Sequence, residues 1–126
     1  GVGGALIIGL VAGVSCFWAT YCVKRVFNID DSLDVFPVHG VGGVVGTILA
    51  GVFVGTLGGI GLAEGVSMSA QVTTQVIGVL ATALWCGVIT YIVLKVLDAL
   101  GGLRVNEDDE TEGLDLVLHE ERGYSL

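Results

Sequence analysis

Three stretches of this chain carry no Asp, Glu, Lys or Arg: residues 1–23, 35–63 and 65–94, of 23, 29 and 30 residues. Each exceeds the roughly 20 apolar residues that a helix needs to cross a bilayer. The charged fraction is 14%, against about 25% in an average soluble domain, and the mean hydropathy is +0.87. A water-soluble globule is therefore excluded. The expected fold class is all-α, a polytopic membrane helix bundle.

The spans are expected at about 1–23, 35–57 and 70–100, so that 1–101 forms the membrane part and 102–126 an acidic tail. A polar loop, 28–34, separates the first two spans, and a Gly-rich linker, 58–65, precedes the third. All five basic residues lie on one side of this map: Lys24 and Arg25 after span one, Lys95, Arg104 and Arg122 at or beyond the end of span three. The linker has only Glu64. The positive-inside rule then puts the 28–34 loop and the C-terminus in the cytoplasm and the linker outside. Gly101 and Gly102 form a plausible stop for span three, with glycine as a left-handed cap.

The net charge of −8 is concentrated in the tail, where eight acids stand against Arg104 and Arg122. That sign is wrong for nucleic acid, which needs cations on its phosphates. The central EDDETE reads as disordered, whereas Leu114, Leu116, Val117 and Leu118 give the tail an apolar patch. Cys16, Cys22 and Cys86 lie in apolar runs with no CxxC spacing, so neither a disulfide framework nor a zinc site is expected. No cofactor is expected. The chain opens inside a hydrophobic, Gly-rich stretch without Met, a basic n-region or a cleavage site, and reads as the C-terminal portion of a longer protein rather than a signal peptide.

Of Asp, Glu, Lys, Arg and His, only His39 lies inside the three charge-free runs. Such groups are functional candidates by default. Imidazole donates with one nitrogen and accepts with the other, and it exchanges protons near neutral pH. At 100° per residue, His39, Gly43, Gly46 and Ala50 fall within about 60° of one another. That strip of nearly bare backbone suits helix packing at Gly43 and Gly46, a pore lining, or both. Asp34, with Asp30 and Asp31, precedes span two. It reads as a helix cap or as an acidic rim that attracts a cation at a cytoplasmic mouth, and Pro37 suits a first helical turn. No nucleophile–base pair or metal cluster can be assembled, so an enzyme is not expected.

Three segments resemble the ammonium transporter family: GVGGALIIGLVAG at 1–13, DDSLDVFPVHGVGGVVGTILAGVF at 30–53 and GLRVNEDDETEGLDLVLHEERGY at 102–124, with AEGVSM at 63–68 before the last span. The resemblance covers essentially the whole chain and implies the last three of eleven spans plus the cytoplasmic tail. It implies a homotrimer in the cell membrane that takes up nitrogen as ammonium, each protomer with a narrow apolar pore. Ammonium is deprotonated on entry and crosses as ammonia. His39 matches the second of two facing pore histidines, and the 30–34 segment would border an inward vestibule. Many bacterial members have Gly where this chain has Pro37. The resemblance also implies a PII-type regulatory protein at the cytoplasmic face. A membrane ammonium sensor signalling through its tail is the alternative from a different class.

Overall fold

The computed structural model of the chain describes residues 1–124. All regular elements among the described residues are helices. Helix α1 spans Val2–Tyr21 and runs on through a π-helical turn, Cys22–Val26. A second π-helical turn, Phe36–Val41, opens helix α2, Gly42–Phe53. Helix α3 spans Met68–Gly101, and the tail holds two short helices, α4 (Glu107–Glu112) and α5 (Leu114–His119). The stretches Val2–Val26, Phe36–Phe53 and Met68–Gly101 are each long and apolar enough to cross a membrane.

Two compact units divide the chain, one covering Gly1–Ala83 and the other beginning at Leu84. In the first, α1 and α2 lie against each other through a stripe of small residues. Gly4, Ile8, Ala12, Ser15, Ala19 and Val23 are among the less exposed positions of α1 and its π turn, spaced three and four apart as one helical face requires. Small side chains let helix backbones approach where hydrocarbon gives no drive for association. A methyl group on Gly4 would stand 3.1 Å from the Phe53 side chain. The carboxamide of Gln75, from α3, occupies the space that a side chain on Gly51 of α2 would need.

Little else is buried. Ala19 and Val23 are the buried hydrophobic residues, at 7% and 6% exposure, with Pro37 more deeply enclosed, and no residue of α3 is buried. An all-round apolar helix with no buried face in its own chain is suited to lipid or to further helices.

Helix ends follow local chemistry more than hydropathy. Span one continues past residue 23 to Val26, and its turn closes with the Ile29 N–H on the Val23 carbonyl at 3.0 Å. The helix of span two stops at Phe53 rather than 57, because Leu57 and Gly58 take φ of 49° and 82° and the Gly61 N–H turns back to the Val54 carbonyl at 2.8 Å. Span three begins at Met68, where Ser67 Oγ accepts from the Ala70 N–H at 3.2 Å as an N-cap. It ends at Gly101, with Gly102 at φ 80° and its N–H on the Asp98 carbonyl. At 1.5 Å per residue its 34 residues extend about 51 Å, well beyond a hydrocarbon core of roughly 30 Å.

The tail overturns one expectation. EDDETE is helical, not disordered. Asn106 Oδ1 accepts from the Asp109 N–H at 2.9 Å, and four acids fill the first turn, where the positive end of the helix dipole favours them. Arg104 adds a two-pronged contact to Glu110, at 2.5 and 3.0 Å.

Candidate functional site

The inner end of span two is assembled from four consecutive choices in the sequence. Asp31 supplies the cap: its Oδ1 accepts from the Val35 N–H at 2.8 Å and its Oδ2 from the Phe36 N–H at 2.9 Å. Two first-turn donors that would otherwise lack partners are thus satisfied by one carboxylate. Pro37 follows in the first turn, where its missing N–H leaves no helical bond unmade. It is the one large side chain that is fully buried among the described residues. The turn then widens to a π-helix, a geometry that recurs at functional sites.

Asp34 is not the cap. It takes a left-handed backbone conformation, φ 55°, which leaves its carboxylate facing Lys24 Nζ at 2.9 Å, a contact of opposite charges rather than an aligned hydrogen bond. Both side chains are about one-third exposed, at 31% and 35%. Its own carbonyl accepts the Val38 N–H at 3.0 Å. The rim reading of Asp34 therefore concerns an acid already paired across the hairpin between spans one and two.

His39 is the fourth residue of the π turn and is exposed in this chain; its carbonyl accepts the Gly42 N–H, while its imidazole has no hydrogen bond among the described residues. The face it shares with Gly43 and Gly46 is open: a methyl group on either glycine would meet nothing within 4 Å. Glycines that do approach neighbouring segments include Gly1, Gly3, Gly4, Gly42 and Gly51. Gly42 faces span one, and a methyl group there would stand 3.0 Å from Cys16 Sγ. That same sulfur donates to the Val38 carbonyl at 3.8 Å.

Sequence reasoning grouped Asp31 with Asp30 and Asp34, used Lys24 for orientation and set Cys16 among the cysteines of apolar runs, without singling out the cap, the ion pair or the thiol contact. For the ion pair a signal existed. Lys24 closes span one and Asp34 opens span two, so a short hairpin brings the two opposite charges level. No comparable signal marks Cys16, whose role depends on which face of α1 meets α2.

Three membrane-length apolar helices joined by short loops define a multi-pass membrane protein of the all-α helix-bundle class. The family model described as the Ammonium Transporter Family matches residues 1–124. An ammonium transporter of Aquifex aeolicus is 45% identical over 125 residues, covering 98% of this chain and 29% of that protein. A putative ammonium transporter of Methanothermobacter thermautotrophicus is 38% identical, covering 99% and 31%, and an ammonium transporter of Bacillus subtilis 34% identical, covering 95% and 30%. The chain belongs to the ammonium transporter family, a family of transporters and not of enzymes. It spans about three-tenths of the length of these relatives.

Proposed function

We propose that this chain supplies the last three spans and the cytoplasmic tail of an ammonium transporter, with His39 lining its pore. The observation that carries the reading is His39 itself: the one histidine within the three charge-free runs, set on a bare glycine strip with Gly43 and Gly46 and left open on that side. The names of the relatives support ammonium as the substrate. An ion crossing hydrocarbon meets a barrier. Charged side chains at the centre of a membrane helix cost roughly 2.5–3.5 kcal/mol on insertion scales. Ammonia escapes most of that barrier. Ammonium therefore loses its proton at the outer entry, ammonia crosses the apolar pore, and the proton is carried separately. The imidazole of His39 offers the passing ammonia a donor and an acceptor in turn.

In this reading the 28–34 loop and the tail face the cytoplasm, as the basic residues argue. The functional unit is a homotrimer. The ordered acidic tail, with its capped α4 and α5, offers a surface to a PII-type regulatory protein.

The test is ammonium uptake by the full-length protein in proteoliposomes, followed by the ammonium-evoked current. Uptake well above that of empty liposomes is expected. Equal rates in a correctly assembled protein would overturn transport in favour of a sensor.

A further inference from the structure

We infer that Lys24 and Cys16 are positioning residues for His39, and that span one holds the His39 turn through them at two points. The inference rests on His39 acting in the pore. Three contacts run in sequence along one short segment. Lys24 Nζ meets Asp34 Oδ1 at 2.9 Å, the Asp34 carbonyl takes the Val38 N–H at 3.0 Å, and the Val38 carbonyl takes the Cys16 thiol at 3.8 Å. His39 is the next residue. Between the two holding points, Pro37 is fully buried, and Gly42 leaves the space into which the Cys16 sulfur fits.

The need for such a hold follows from the turn's own geometry. A π-helical turn departs from the regular i to i−4 ladder and is rarely stable as an extended run. Its shape then depends on what it packs against. Here that support comes from span one, by charge at the start of the turn and by a sulfur donor at its middle. The imidazole, by contrast, has no hydrogen bond of its own among the described residues, so its direction is inherited from the backbone beneath it.

The consequence is a residue pair that touches no ammonia yet sets the rate. In the full-length protein in proteoliposomes, the Lys24→Met, Cys16→Ala double variant is expected to lower the maximal ammonium flux per assembled transporter about fivefold to tenfold. The half-saturating concentration should stay within about twofold, because recruitment lies on the other face of the membrane. Lys24→Arg and Cys16→Ser keep a cation and a donor at the two points and should restore the flux. The ring resonances of His39 in solid-state NMR, assigned by their loss in His39→Ala, should shift or broaden in the double variant and return in the conservative one. If the double variant misassembles, Asp34→Asn gives the same test, since Asn tolerates the left-handed backbone and removes only the charge. Wild-type flux and unmoved His39 resonances in an assembled variant would overturn the inference. So would equal losses in the conservative and disruptive variants. A wild-type protein that carries no ammonium would instead sink the transport reading, and the NMR comparison would still report on the hold.

Discussion

Asp31 and Asp34 stand three residues apart at the same helix end and serve different purposes. Asp31 satisfies two backbone donors, while Asp34 faces Lys24 from a left-handed conformation. Hydropathy locates the start of the apolar run beside Asp34 but carries no information about φ, so the cap falls three residues earlier than the pattern suggests. The two carboxylates should differ in stability accordingly. Asp31→Ala removes the cap and is expected to cost about 1–2 kcal/mol. Asp34→Asn loses only a partly exposed ion pair, worth about 0–1 kcal/mol. Apparent melting temperatures of the full-length protein in detergent check this, and a larger drop for Asp34→Asn than for Asp31→Ala would reverse the assignment. His39, by contrast, stands out as a candidate from sequence alone, because a histidine inside an uncharged run is conspicuous. The residues beneath it do not, since what Cys16 and Gly42 meet depends on which faces of α1 and α2 come together.

The helices divide in the same way. The three spans follow from charge-free length, and their existence needs no packing information. Their ends do not follow. The 54–57 stretch is as apolar as the helix before it, yet turns at Leu57 and Gly58. A run of acids reads as solvated chain, but α4 forms because Asn106 caps it and the acids meet the favourable dipole end. Loss of that cap should be visible directly. Asn106→Ala is expected to speed amide hydrogen exchange over residues 107–112 about fivefold, as loss of a cap worth about 1 kcal/mol implies. Asn106→Asp, which keeps the acceptor, should leave it near wild type. Identical exchange in all three proteins would show that something other than the cap holds α4.

The described residues bury very little of themselves, and no residue of α3 is buried. In water such surfaces would aggregate; in a bilayer they meet lipid or further helices. This chain covers about three-tenths of its relatives, and the open face of His39, Gly43 and Gly46 is where a pore would be completed. The proposed orientation rests on five basic residues on one side, a sparse signal that accessibility tests cleanly. In the full-length protein in intact cells, Ala63→Cys is expected to react with a membrane-impermeant maleimide. Glu112→Cys should react only after permeabilisation, and the opposite pattern would invert the topology. The most direct measurement is ammonium flux through assembled His39→Ala in proteoliposomes. The expected result is a loss of at least about tenfold, equivalent to about 1.4 kcal/mol of barrier, with the oligomer unchanged. Wild-type flux in that variant would contradict the account.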